Sequence, residues 1–394
     1  MLMTPAQIRD SALLDLLGDI LQPEIDPATI GALRLRIMRR GLSWQALVDL
    51  ARGQGVLLPL IFALNARGLL PPLPRSIKYS DHHVTARLGG LYAQNLAWRR
   101  LQTVQLERVL DALARAAVVP LMLKGARYLV EPPGSWCEAR SMADFDLLVP
   151  SGQAERAFAA LEAEGYRPVA GERFIPGFSH HLPTLEHPHE PAPVELHVHS
   201  LVSAGERMMS TEHVWAQAIT AGDRRCLVLP VRWHALHGLL HHQIQDRGHI
   251  QRSLNIRALW EWAMLASTFT VGDWDVINAH MQHAGASDAL GSWRVQAQRI
   301  FKLEIPHHCA VSPAARAHAD GSYRLAGRPY WQRRIRYIVD QLRVSFAPET
   351  LALKYGTRRS RGSFLLALQN LIELLWVHRG KVLQRLTGYR DRLG

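Results

Sequence analysis

The chain has 394 residues, 48% of them hydrophobic and 20% charged, with a formal net charge of +12. That length allows two or three domains with real cores, and the composition excludes a disordered or fibrous protein. The positive balance suits an anionic partner such as a nucleotide, nucleic acid, phosphorylated substrate or anionic lipid, and equally fits a basic, Arg-rich proteome.

Cys137, Cys226 and Cys309 are far apart and form no CxxC. No disulfide framework or structural zinc motif follows, and the small odd count fits a reducing cytoplasm. Met1 to Asp10 has no basic segment leading into an apolar run. Val56 to Leu64, the most apolar stretch, is too short to span a bilayer. The expectation is a soluble, cytoplasmic protein with no transmembrane segment.

In chain order, Thr4-Pro5 reads as a helix start, and Ile8, Ala12, Leu13, Leu16 and Leu17 keep helical spacing. Ser43 caps a helix over Trp44 to Arg52 that turns Leu47, Val48 and Ala51 to one side. Val56 to Arg67 is a third helix, stopped by Gly68, and Pro71, Pro72 and Pro74 mark a turn. A long helical pattern runs from Asp81 to Ala116. The period then changes. Val118 to Leu123 is a short apolar run closed by Lys124-Gly125, a buried strand and turn. Ala126 to Val130 forms a short helix. Asp144 to Val149 is a second strand, and Ser151 is placed to cap a helix over Gln153 to Glu164. Tyr166 to Val169 and Val194 to Val198 are further strands. Helical periodicity returns from Thr211, with helices at Trp233–Gln245, Ser253–Ala266, Asp273–Ala284 and Leu290–Lys302. Arg316 to Gly327 reads as a polar connection. Tyr330–Phe346 and Phe364–Leu386 read as basic amphipathic segments. Three parts follow: a helical region over 1–116, an α/β core over 117–205 and a helical, basic region over 206–394.

The chemistry concentrates in the middle part. Side chains alternate along a strand, so Asp144 and Asp146 are expected on one face at the mouth of an apolar run. Neighbouring carboxylates repel unless a cation sits between them. Glu195, in Val194-Glu195-Leu196-His197, supplies a third acid. Three carboxylates on adjacent strands are what a two-metal phosphoryl-transfer site needs. Lys124 and Gly125 lie at a strand end, where an ammonium and a turn could meet triphosphate oxygens. Arg140 could hold a phosphate bidentately or pair with Asp144. An Asp-x-Asp alone is a weak signal; its place after a strand-Lys-Gly turn and before a strand with Glu and His is not.

These residues carry a resemblance. Lys124-Gly125, Arg140-x3-Asp144-x-Asp146-Leu-Leu-Val and Val194-Glu195-Leu-His197 resemble an uncharacterised bacterial nucleotidyltransferase family within the polymerase-beta-type superfamily. Trp44-x2-Leu47-x3-Ala51 is similar to it too. The likeness spans roughly Ser43 to Leu265. It implies an α+β fold: a small mixed-sheet nucleotidyltransferase core flanked by helical regions. It also implies a Mg²⁺- or Mn²⁺-dependent enzyme that moves a nucleoside monophosphate from an NTP to an acceptor. Asp144, Asp146 and Glu195 would be its catalytic metal ligands, and Lys124, Gly125 and Arg140 would bind the nucleotide. The acceptor would be anionic, or a small molecule or modified peptide, since the family accompanies natural-product and surface-polysaccharide genes; nucleic acid is a further option. The superfamily favours Gly-Ser in the phosphate turn, where this chain has Gly125-Ala126. That departure keeps open a catalytically weak nucleotide- or peptide-binding module, and the net charge permits a toxin-like transferase acting on tRNA or protein.

Two other groups stand out. His180, His181, His187, His189, His197 and His199 crowd the region around Glu195 without matching a zinc template. His197, and His181 if the loop folds back, are expected beside the metal or phosphate. His234, His237 and His241 share a helical face. With His242 and Asp246 they faintly resemble an HD-type phosphohydrolase, but the adjacent His-Asp pair is missing and no HExxH occurs. A polar helix face packed near the cleft is the better reading. The arginines and aromatics beyond Tyr330 suggest contact with an acceptor or nucleic acid, weighed against simple solvation.

Overall fold

The computed structural model describes residues 5–38, 43–69, 79–174, 179–222 and 225–326, and Val339. Met1–Gly327 forms one unit and Arg328–Gly394 a second. The basic segments expected at Tyr330–Phe346 and Phe364–Leu386 and the turn at Pro71–Pro74 lie outside the described residues.

Four helices open the chain: α1 Pro5–Ile20, α2 Pro27–Met38, α3 Trp44–Gly53 and α4 Leu57–Ala66. Ser43 caps α3 by accepting a hydrogen bond from the Ala46 N–H, and Leu47, Val48 and Ala51 are its buried residues, as their spacing predicts. The long α5, Tyr79–Arg115, leads to the sheet. The strands are β1 Leu121–Met122, β2 Phe145–Leu148, β3 Arg167–Pro168, β4 Leu185–Glu186, β5 Val194–His197, β6 Ile219–Ala221 and β7 Cys226–Val228. They form one mixed sheet of seven strands in the order β3-β4-β5-β2-β1-β7-β6. Between them lie α6 Arg127–Val130, α7 Ala154–Ala163, α8 Ala204–Met208 and α9 Thr211–Ala216. The α+β class with flanking helices is thus the observed one.

The pleat sorts side chains into two cores. Phe145, Leu147, Val149, Val194, Leu196 and Val198 share an apolar cluster with Leu106, Val109, Leu110 and Leu113 of α5 and Ala157 and Leu161 of α7. Leu121, Leu123 and Leu148 belong to the other cluster. That cluster also holds Leu17 and Ile20 of α1, Leu60 and Leu64 of α4, and residues of α10 Val231–Leu240, α12 Ile256–Ala266, α13 Val271–His283 and α14 Ser287–Phe301. Short α11, Gly248–Gln251, lies between α10 and α12.

Some elements differ from the sequence reading. Ser151 begins a 3₁₀ turn, Ser151–Gln153, and makes no side-chain cap to α7. The helical stretch expected from Thr211 is interrupted by the β6–β7 hairpin. The segment read as a polar connection is a helix, α15 Pro313–Ala326, whose buried residues are Ala315, Ala319 and Ser322. Small residues at helical spacing carry that face, so no large apolar stripe announces it. The expected helix at Trp233–Gln245 begins at Val231 and changes to a π-turn over His241–Gln245.

Candidate functional site

Strand register positions the acids. β2 and β5 are parallel, with Asp146 opposite Glu195 and Leu148 opposite His197. A slip of one residue would send Glu195 into the apolar core. The strand starts at Phe145, so Asp144 lies just before it rather than within it. Asp144 nonetheless feels both other acids: burial, then Asp146 and Glu195, raise its pKa. Register thus pairs Asp146 with Glu195, while Asp144, in the loop leading into β2, is close enough to feel both but does not supply one of the ligand atoms grouped with them.

The local partners are basic. Lys124 Nζ lies 2.7 Å from Asp146 Oδ1, and the His197 Nε2 lies 2.9 Å from the same oxygen. His197 Nε2 is also 3.4 Å from Glu195 Oε2, and His181 Nε2 is 3.9 Å from it. Leu182 N–H donates to Leu196 O, and His181 bridges to His197, so the histidine loop does fold back onto β5. Burial would raise the Asp146 carboxyl, but Lys124 and His197 outweigh it and hold the group well below the carboxylate range. Burial lowers His197, yet its bonds to Asp146 and Glu195 leave it raised. Glu195 stays lowered despite burial, chiefly through His197.

Lys124 reaches Asp146 because its backbone takes the left-handed conformation, φ 43°. Such a non-glycine residue costs about 1–3 kcal/mol. Packing favours glycine at the next position: a Cβ on Gly125 would lie 2.7 Å from Arg140 Nη1 and 2.7 Å from Met142 Cγ and Sδ, so both side chains would have to shift.

Lys124, Arg140, Asp144 and Asp146 line a cleft of about 410 Å³. Its other wall comes from α10, the π-turn and α12: His234, His237, His241, His242, Asn255, Arg257, Glu261 and Trp262. Arg140 pairs with Glu261, Nε to Oε2 at 3.1 Å, rather than with Asp144. Tyr128 Oη donates to Glu261 Oε1 at 2.8 Å. Burial works against both charges, but Glu261 raises Arg140 and Arg140 lowers Glu261. His237 Nε2 donates to Ser200 O, 3.0 Å away, and burial pushes the His237 pKa down to about 3. The face shared by His234, His237 and His241 is therefore packed at the cleft, as expected. Glu261 and Arg257 escaped the sequence reading. Both lie in Ile256–Ala266, where an apolar stripe dominates the pattern.

The donor set can hold a divalent cation. Asp146, Glu195 and His197 each offer a ligand atom, all within 4.8 Å of one another. Two carboxylates suit Mg²⁺ or Mn²⁺, and the imidazole favours the latter. Lys124 meanwhile neutralises Asp146 from within.

A mixed sheet that presents clustered carboxylates to a polar cleft is the arrangement of phosphoryl- and nucleotidyl-transfer proteins. Residues 40–302 match the family described as uncharacterised nucleotidyltransferase, and the chain belongs to that family. Nucleotidyl transfer is accordingly its general activity. No curated protein and no solved structure matches the chain. No helix among the described residues is long and apolar enough to cross a membrane.

Proposed function

We propose that the protein is a divalent-metal-dependent nucleotidyltransferase, moving a nucleoside monophosphate from an NTP to a hydroxyl or phosphate of a small molecule or modified peptide. The observation that carries this is the Asp146–Glu195 register pair, with Asp144 beside it and the cleft in front. In this reading Asp144, Asp146 and Glu195 hold the metal, with His197 as a further ligand and His181 steadying Glu195. A bound Mg²⁺ or Mn²⁺ would neutralise triphosphate charge and lower the pKa of a coordinated hydroxyl. Lys124 and Arg140, with Arg257 opposite, offer cationic groups to the triphosphate and an anionic acceptor. The acceptor oxygen attacks the α-phosphorus as the bond to pyrophosphate breaks. Its proton passes to a cleft carboxylate and then to solvent.

Two observations favour a second reading, a nucleotide- or peptide-binding module with little turnover. Lys124 already occupies an Asp146 oxygen, and the Gly125-Ala126 turn lacks a phosphate-binding hydroxyl. Incubating the protein with each NTP, Mn²⁺ or Mg²⁺ and a cell extract separates the two. Pyrophosphate release and a metabolite gaining an NMP, both lost in Asp146→Asn, are expected for the transferase. Saturable nucleotide binding with no product in any extract would favour the module.

A further inference from the structure

A second group of ligand atoms faces the same cleft from the opposite wall. His241 Nδ1 and His242 Nδ1 each lie 3.2 Å from Asp246 Oδ2. Adjacent residues on an α-helix point about 100° apart and rarely share a partner. Here the helix widens into a π-turn, His241–Gln245, and the Asp246 N–H donates to His241 O at 2.8 Å, an i to i+5 bond. The wide turn carries Asp246 beneath both imidazoles. π-turns are rare and concentrate at functional positions.

The backbone is committed to this shape. Arg247 follows in the left-handed region, φ 61°. A Cβ on Gly248 would lie 2.5 Å from His242 O. Beside the group is a recess of about 60 Å³ lined by His242, Asp246, Ser253 and Asn255.

We infer that His241, His242 and Asp246 form a separate site for one first-row transition-metal dication, such as Zn²⁺, Co²⁺ or Mn²⁺, with open positions toward the recess and cleft. Around a cation with bonds near 2.1 Å, neighbouring ligand atoms stand about 3–3.5 Å apart; both imidazole-to-carboxylate distances fall there. Two imidazoles and one carboxylate favour a borderline dication over Mg²⁺ or Ca²⁺. Binding needs no net proton release: each neutral imidazole moves its proton from Nδ1 to Nε2, and Asp246 stays ionised. A water fills an open position until an oxygen of an anionic substrate replaces it. The site stands apart from the Asp146 group and does not depend on the transfer reading.

The test is Co²⁺ titration of the full-length, chelator-stripped protein, followed by visible absorption and by calorimetry, on wild type, His242→Ala, Asp246→Asn and Asp146→Asn. Far-UV circular dichroism and thermal midpoints in EDTA establish that each variant is folded. His242 and Asp246 are one-third and one-half exposed, so at least one of these two substitutions should leave the fold intact. Expected is a cobalt-binding step in wild type that weakens about tenfold or more in a folded His242→Ala or Asp246→Asn protein and persists in Asp146→Asn, which can remove only a step owed to the Asp146 group. Cobalt binding unaltered in the folded His242 or Asp246 variants, or lost only in Asp146→Asn, overturns the inference and leaves a hydrogen-bonded triad. NTP turnover failing while the cobalt band persists would count against the transferase, not against this site.

Discussion

The two faces of the sheet are built from the same strands and do opposite work. Toward α5 and α7, Phe145, Leu147, Val194 and Leu196 make a dry, wholly apolar layer. Toward α10 and α12, the alternate positions mix Leu148, part of the second apolar cluster, with Asp146, Glu195 and His197, whose charges are matched with Lys124 and with one another. Both faces bury apolar area, but the second interrupts its apolar layer to keep ionised groups beside a cleft. A period of two is enough to separate a scaffold from a reactive surface.

The comparison can be broken first at Asp146. Asp146→Asn keeps the shape but removes the charge; turnover is expected to fall about a thousandfold, on the order of 4 kcal/mol. Pyrophosphate release per folded molecule is the measurement. A loss under tenfold would remove Asp146 from the chemistry.

Next comes the ion pair behind the cleft. Glu261→Gln leaves Arg140 buried without its counter-ion and is expected to cost about 3 kcal/mol at neutral pH, read from the urea midpoint. The folded Glu261 carboxyl titrates below its ordinary 4.5. Its contribution is therefore complete above about pH 4.5 and is lost as pH falls through the folded value. The gap between wild type and Glu261→Gln should close in acid; a gap that is constant from pH 7 to pH 3 would contradict the pairing.

A third pair of variants sets the faces against each other at neighbouring positions. Leu196→Ala is expected to destabilise by about 2–5 kcal/mol while folded molecules keep their turnover. Glu195→Gln should change stability by less than about 1 kcal/mol and lower turnover about a hundredfold. If both variants lose stability and activity in equal measure, the division of labour between faces is wrong. The smallest effect lies far from the sheet: Ser43→Ala removes the α3 cap and should cost about 1 kcal/mol, seen in thermal midpoint alone.

Legibility in the sequence followed chemistry that lies close along the chain. β2 and β5 are readable because each sets a polar residue inside an apolar run, whereas the fold-back of the histidine-rich loop onto β5 enters the sequence reading only as a condition for His181. β4, β6 and β7 are not readable, because two or three residues establish no period, and Thr220 or Glu186 blurs what there is. The sequence offers Arg140 a phosphate or its near neighbour Asp144, whereas its partner in the structure, Glu261, is 121 residues away. That contact needs two elements to dock, and no local pattern encodes it. The π-turn was read as plain helix because its residues keep helical spacing up to the point where it widens.

Gly125 shows how a motif position can be held for reasons unrelated to what it was expected to touch. A larger residue there would push Arg140 and Met142 aside, so crowding favours glycine at this position whether or not a nucleotide ever meets it. The glycine at position 125 is therefore a record of packing, and activity has to be judged from the carboxylates.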